Sequence, residues 1–261
     1  MKRSIMSYFD LQKTAESGQV FRARKTEDGK WSFIARDKKI VLDPHEDYAG
    51  KIKNDRFWRE YFDQDRDYEA VSKEAVKNKD DFMIAACKAG EGIRLLKQDP
   101  WEMLISFIIS QRKSIPAIQT SIERLCLNFG EKKDDFYAFP TPEDLLKADT
   151  GSLAECGLGY RLEYVRNAAE KVAHGILDLD GLRTLGDEEL LNELKTVKGV
   201  GDKVANCIML FAYGRTSRVP VDVWIKKIID EDYGGKEPFS RYGEYAGIMQ
   251  QYAFYFKRNV Q

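Results

Sequence analysis

A lysine and an aspartate 19 positions apart carry the most pointed chemistry in this sequence: Lys203 in "KGVGDKVANC" and Asp222 in "VPVDVW". Lys203 opens an apolar run, Val204, Ala205, Cys207, Ile208, Leu210 and Phe211, with the spacing of a helix. The positive end of the helix dipole and burial both disfavour an ammonium in that first turn, and the neutral amine is the nucleophilic form. A helix of that length carries the chain roughly 15 Å away from its start. The segment "TSRVPVD", β-branched and proline-bearing, is expected to be extended and can return roughly 23 Å. The chain can therefore bring Asp222 back beside Lys203. A carboxylate near an amine can stabilise a cationic, oxocarbenium-like sugar and assist proton transfers. Asp222 is also placed to cap the helix "VWIKKIID", and that role does not exclude the other. The plainer alternative for Lys203 is a side chain snorkelling to solvent or to a phosphate.

The glycines before the lysine narrow what the helix can face. A dinucleotide fingerprint needs a preceding strand and a third glycine. Here an amphipathic helix, "DEELLNELKTV", precedes, and Val204 holds the third position. The Gly-Lys-Ser/Thr of a P-loop is absent. What remains is helix, tight turn, helix. Gly199 and Gly201 can take positive φ, and without side chains they let another backbone approach closely. The second helix begins near Asp202 with unpaired amides, which with the loop amides make a phosphate-binding site. Such a hairpin grips DNA backbone without reading bases. A plain αα-hairpin inside a bundle is the commoner meaning of a glycine turn alone.

The elements that must position these residues fall into two kinds. Near the start, "QVFRARKTEDGKWSFIARDKKIVL" alternates like a sheet, with an Asp28–Gly29 turn between Val20–Arg24 and Trp31–Arg36 and a further run at Ile40–Leu42. Arg22 and Arg24 share a parity opposite to Phe21 and Ala23. A polar, aromatic stretch of mixed helix and loop follows. From about residue 80 the period becomes helical, in "DDFMIAACKAGEGIRLL", "PWEMLISFIIS" capped by Asp99, "SIPAIQTSIERLCLNFG", "TPEDLLKA" capped by Thr141, "RLEYVRNAAEKVAHGI" and two last helices after Asp222. The expected architecture is α+β, with an antiparallel sheet domain over 1–80 and an all-helical body over 81–261.

Composition bounds the rest. The chain has 261 residues, 43% hydrophobic and 33% charged, with a net charge of −1. A whole-molecule field that attracts nucleic acid is therefore absent, and any DNA contact needs a local basic face. Candidates are Arg112, Lys113, Arg161, Lys195, Lys198, Arg215 and Arg218. The four cysteines are far apart in sequence and the two histidines offer no ligand spacing, so the expectation is buried, reduced thiols and no zinc or iron–sulfur site. The opening residues lack the apolar stretch of a signal peptide and no run is long enough for a bilayer, so a cytoplasmic protein, nucleoid-associated if prokaryotic, is expected.

"LKTVKGVGDKVANCIMLFAYGRTSRVPVDVWI" strongly resembles the signature of helix–hairpin–helix DNA glycosylases, whose Gly/Pro-rich loop ends in an aspartate. "SGQVFRAR", "GIRLLKQDPWEMLISFIISQ", "GLGYRLEYV" and "YAGIMQQYAF" are similar to the 8-oxoguanine branch, so the resemblance spans nearly the whole chain. It implies a TATA-binding-protein-like sheet domain before the helical body. It implies that Lys203 attacks C1′ of the damaged nucleotide, that Asp222 is the essential acid, and that a Schiff base then nicks the strand by β-elimination. The nucleotide must first be flipped from the duplex. Gly18 would offer its carbonyl to the N7 hydrogen that 8-oxoguanine has and guanine lacks. Gln250 would read the Watson–Crick edge, and Phe254 and Cys207 would sandwich the base. Cys207, four residues after Lys203, shares its helix face on spacing alone. The implied partner is double-stranded DNA containing an oxidised guanine, bound by a monomer without a cofactor, with a cation at the hairpin carbonyls as a further implication.

The family pattern breaks in "SQRKSI". Eukaryotic-type members carry an asparagine that fills the gap left by the flipped base; here Arg112 stands there, beside Gln111. Ala117 replaces a second, cytosine-reading arginine, Trp224 replaces a histidine after the aspartate, and Arg161 matches the third reader with Tyr160 as a wedge. The lesion pocket is kept while the opposite-base reader is altered, so a weaker preference for cytosine opposite the lesion is expected. Two other functions fit parts of the pattern: an alkylated-base glycosylase, whose relatives generally lack the hairpin lysine, and a non-catalytic DNA-binding module, which needs no lysine–aspartate pair.

Overall fold

The structure is a computed structural model and describes residues 9–260. Helix α1 (Leu11–Glu16) precedes strands β1 (Ala23–Lys25), β2 (Trp31–Ala35) and β3 (Lys38–Leu42). Helices α2 (Tyr48–Lys53), α3 (Arg56–Tyr61), α4 (Tyr68–Lys77) and α5 (Asp81–Ala89) lead to α6 (Pro100–Ser110) and α7 (Ile115–Phe129). There follow α8 (Pro142–Lys147), α9 (Thr150–Glu155), α10 (Leu162–Ala173), α11 (Asp187–Lys195), α12 (Asp202–Phe211), α13 (Val223–Asp232) and α14 (Ala246–Asn259). These elements form two compact units, each discontinuous in sequence. One comprises residues 9–20, 43–97 and 215–260; the other comprises 21–42 and 98–214.

The division expected at residue 80 follows composition, whereas compactness divides the chain elsewhere. The sheet belongs with α6–α12, and residue 80 lies inside the first unit. A three-stranded sheet must bury its apolar face against another element. Phe21, just before β1, meets the Phe107 ring of α6 edge-on at 5.6 Å. The strands run antiparallel in the order β1-β2-β3, with Ala23 opposite Phe33 and Trp31 opposite Leu42. The Asp28–Gly29 turn forms as expected, with Gly29 at φ 83 and the Thr26 amide donating to the Lys30 carbonyl.

Arg22 is buried rather than solvated. Its guanidinium lies 3.8 Å from the buried Glu102 carboxylate, donates to the Tyr137 carbonyl and sits over the Phe139 ring. Burial pushes the Glu102 carboxyl up to about 7, against the pull of Arg22. The expected caps are present: Asp99 accepts from the Glu102 amide ahead of Pro100, and Thr141 and Asp144 form a capping box. In α7, Ile118, Ile122 and Leu125 are buried.

In the first unit, "DDFMIAACKAGEGIRLL" is helical only to Ala89. Residues 93–99 are without regular secondary structure. Side chains there satisfy the backbone that helix bonds would otherwise satisfy: the Thr14 hydroxyl accepts from the Arg94 amide, the Tyr68 hydroxyl from that of Leu95 and Gln19 Oε1 from that of Leu96. Asp80 gathers the hydroxyls of Tyr233 and Tyr242 at 2.8 and 2.7 Å and caps α5, tying α13 and the turn before α14 to it. Cys87, Cys126, Cys156 and Cys207 are free and buried, as expected.

Candidate functional site

The hairpin between α11 and α12 lies wholly in the second unit. Gly199 has φ +84, and a Cβ there would sit 2.3 Å from Tyr164 Cδ2. Glycine is needed twice over, for the left-handed backbone and for the ring. Gly201 differs from expectation. Its φ is −99, which any residue adopts, and a Cβ there meets nothing within 4 Å. As N-cap it contributes no side-chain hydrogen bond, so α12 starts with amides that no cap covers. The hairpin is held from two sides. Asn167 of α10 accepts from the Lys198 amide at 2.9 Å, and Gln111 Nε2 donates to the Gly199 carbonyl at 3.1 Å.

Lys203 is half-buried in the first turn of α12. Its Nζ lies 5.3 Å from the Phe107 ring centroid, and that ring stacks on Phe211 at 5.6 Å and 14°. An aromatic face that holds an amine limits where the flexible stem can swing. Cys207, one turn on, is 3% exposed.

Residues 111–113 form the joint where the family pattern breaks. Gln111 ends α6, and Arg112 is exposed with φ 53, a left-handed backbone uncommon for a non-glycine. Arg161 is expected from the sequence as part of a basic face toward DNA and as a cytosine reader. It is instead 6% exposed, donates through Nε and Nη2 to the Gln111 carbonyl and through Nη1 to Leu158. The carbonyl of the last helical residues accepts such a cation favourably. Tyr160 is 51% exposed, backed by the Arg161 guanidinium at 4.4 Å and by Tyr164 edge-on. Arg161, Gln111 and Gly199 thus form one hydrogen-bonded series, and Tyr160, Tyr164 and Gly199 one packed series. Sequence spacing carried no signal for either link. Lys113 donates to Ser121 and Gly157, and Lys195 pairs with Asp202 at 2.6 Å. Lys198 is exposed, and Arg215 and Arg218 are partly buried.

The first unit holds the other candidates. Asp222 is the N-cap of α13: its Oδ1 accepts from the Trp224 and Ile225 amides at 3.0 and 2.9 Å. The capping role is therefore present, using one carboxylate oxygen. Gln250 and Phe254 lie one turn apart on α14. Gln250 is 5% exposed and its Oε1 has no hydrogen-bond partner among the described residues, a costly state for a buried polar atom. Phe254 is partly exposed, with the Arg258 guanidinium 5.8 Å from its ring. Gly18 has φ 82 in the turn after α1, and the neighbouring Ser17 carbonyl accepts from Gln251 of α14. Lys203 and Asp222 fall in different units. No helix of the described residues is long and apolar enough to cross a membrane.

A glycine hairpin that opens a helix with uncapped amides, followed by a lysine and then a capping aspartate after Val-Pro-Val, defines a helix–hairpin–helix protein of the Gly/Pro-Asp kind. A family model described as the HhH-GPD superfamily of base excision DNA repair proteins matches residues 105–244. One described as the 8-oxoguanine DNA glycosylase N-terminal domain matches 4–104. The chain belongs to the HhH-GPD superfamily of base excision DNA repair proteins, with that N-terminal domain ahead of it.

Solved structures agree. MBOgg1 in complex with a low-affinity DNA ligand is similar at a TM-score of 0.89 and 35% identity, over 98% of this chain and 94% of that one. The Clostridium acetobutylicum 8-oxoguanine glycosylase/lyase, in complex with double-stranded DNA containing cytosine opposite 8-oxoguanine, gives 0.84 and 34%, over 96% and 92%. Among curated proteins, the Saccharomyces cerevisiae N-glycosylase/DNA lyase is 36% identical over 159 residues, 55% of this chain and 42% of the relative. The probable N-glycosylase/DNA lyase of Methanothermobacter thermautotrophicus is 34% identical over 201 residues, 64% of each. The chain thus spans between 42% and 64% of the length of these curated relatives.

Proposed function

We propose that this chain is a bifunctional 8-oxoguanine DNA glycosylase and abasic-site lyase. It acts as a monomer on double-stranded DNA containing an oxidised guanine, in the cytoplasm and on the nucleoid if the cell is prokaryotic. The damaged nucleotide is flipped from the stack. The unprotonated Lys203 Nζ bonds to C1′, and the N-glycosidic bond breaks with its electron pair leaving on the base, which takes up a proton. Asp222 stabilises the cationic sugar as that bond lengthens. The sugar ring then opens, O4′ gaining a proton and C1′ becoming a protonated Schiff base. Loss of a C2′ proton forms a C2′–C3′ double bond and expels the 3′-phosphate with its bonding pair. Water finally releases the lysine. Gly18, Gln250, Phe254 and Cys207 hold the lesion; Gly199 and Gly201 hold the backbone; Gln111, Arg112 and Tyr160 act on the opposite strand or the gap, with the buried Arg161 bracing Gln111 and Tyr160 from behind. The chemistry requires no cofactor. A cation at the hairpin would find the Gly199 carbonyl already engaged by Gln111.

Lys203 carries the proposal: a lysine held against an aromatic face in the first turn of the helix that follows the hairpin. It also separates this reading from the alkylated-base one, which some weaker relatives represent. The test offers duplexes containing 8-oxoguanine or 3-methyladenine. Nicking with an unsaturated aldehyde 3′ end on the 8-oxoguanine duplex is expected. Release of 3-methyladenine without nicking would support the alkylated-base reading, and binding without base release would support a binding module.

A further inference from the structure

Gly18 is the lesion reader whose precision is hardest to secure. A backbone carbonyl can separate 8-oxoguanine from guanine only by a single N7–H hydrogen bond, and that bond weakens steeply with distance and angle. A glycine at φ 82 has the most backbone freedom of any residue to drift from that position.

Two buried glutamines of the first unit remove that freedom from opposite sides. Before Gly18, the Ser17 carbonyl accepts from Gln251 Nε2, and the Ser17 hydroxyl donates to the Thr14 carbonyl at 2.7 Å. After Gly18, Gln19 donates through Nε2 to the Ser17 hydroxyl and to the Arg94 carbonyl, both at 2.8 Å. Its Oε1 accepts from the Leu96 amide at 2.7 Å. Ser17 and Gln19 are 0% exposed and Gln251 is 3% exposed, so no water competes for these bonds. Gln19 fastens the turn to the 93–99 segment. Gln251 fastens it to α14, one residue after Gln250 on the same helix. A side chain on a helix holds a reader more rigidly than one on a loop.

We propose that Gln251 is a positioning residue. It holds the Gly18 carbonyl in register with Gln250, so that the backbone reader and the side-chain reader of the lesion move as one body, and it thereby sets discrimination between 8-oxoguanine and guanine. The proposal rests on the glycosylase reading above. Gln251 itself touches no substrate atom; it acts through the Ser17–Gly18 peptide.

The test compares two rates in Gln251→Met, which keeps the length and loses the donor. One is single-turnover excision of 8-oxoguanine opposite cytosine. The other is β-elimination on a pre-formed abasic site, which has no base for Gly18 to read. Excision should fall about tenfold, the effect of one buried hydrogen bond, while β-elimination stays within about twofold. The ratio of 8-oxoguanine to guanine affinity should fall by the same factor. Equal loss of both rates would assign Gln251 a purely structural role, and unchanged excision would remove it from recognition; either overturns the proposal. If Gln251→Met fails to fold, Gln251→Glu, which keeps the shape and exchanges donor for acceptor, decides on the same two rates. Wild-type protein that neither excises 8-oxoguanine nor cleaves abasic sites would instead defeat the glycosylase reading itself.

Discussion

Substituting alanine for Gly199 isolates the hairpin's geometry. Two costs add. The backbone stands at φ +84, where an L side chain costs about 1–2 kcal/mol. The new Cβ would also lie 2.3 Å from Tyr164 Cδ2, well inside contact, and forced repacking of a dense region costs typically about 1–3 kcal/mol. The ring cannot simply withdraw, because Tyr164 meets Tyr160 edge-on at 5.8 Å. The sum is about 2–5 kcal/mol, large against an ordinary substitution. Gly201→Ala is the control. Its φ of −99 and open surroundings leave only the lower N-cap preference of alanine, about 1 kcal/mol or less. Urea midpoints at constant m-value measure both. A Gly199→Ala variant as stable as wild type, or a Gly201→Ala variant damaged as much as Gly199→Ala, would refute the hairpin geometry. In DNA binding the order should differ: on the proposed reading both glycines face the DNA backbone, so both alanines should weaken affinity for undamaged duplex.

Three further outcomes follow from the same residues. Gln250→Met removes a buried amide oxygen that lacks a partner, so the protein should gain about 1 kcal/mol in urea denaturation while losing 8-oxoguanine excision. The Glu102 carboxyl, raised by burial from 4.5 to about 7, binds its proton more tightly folded than unfolded. Its stabilising contribution is therefore complete below pH 4.5 and lost as pH rises through about 7. Relative to Glu102→Gln, wild type should lose up to about 3 kcal/mol over that interval, read from denaturation at each pH. Excision rates opposite all four bases should be more nearly equal than in relatives with asparagine at the Arg112 position, and a strict cytosine requirement would contradict this.

Much of the fold was legible because local chemistry announces itself. Asp99–Pro100, Thr141 with Asp144, and Asp28–Gly29 are signals in which a few adjacent residues decide the geometry, and each appears where expected. The left-handed turn at Gly199, the place of Lys203 in the first turn of α12 and the capping role of Asp222 were legible for the same reason. What was hidden depends on residues far apart in sequence. Arg22 alternates like a solvent-facing residue, yet Glu102, Tyr137 and Phe139 cover it. Arg161 resembles a basic contact, yet it folds onto the Gln111 carbonyl. The apolar spacing of "GIRLL" continues a helical pattern that Gln19, Thr14 and Tyr68 replace with side-chain hydrogen bonds. In the sequence Gly201 matches Gly199, and the backbone angle and the Tyr164 ring beside Gly199 separate them. Buried polar partners leave no periodic trace, so the Gln19–Ser17–Gln251 fastening of Gly18 could not be read from spacing.

The nucleophile is the claim on which the whole account turns. Borohydride reduction during incubation with an 8-oxoguanine duplex should trap a covalent protein–DNA species, because it reduces the Schiff base to a stable amine. Peptide mapping should place the adduct on Lys203, and the Lys203→Gln variant should form none. A trapped species mapping to another lysine, or undiminished trapping by Lys203→Gln, would contradict the account, as would no trapped species from the intact protein.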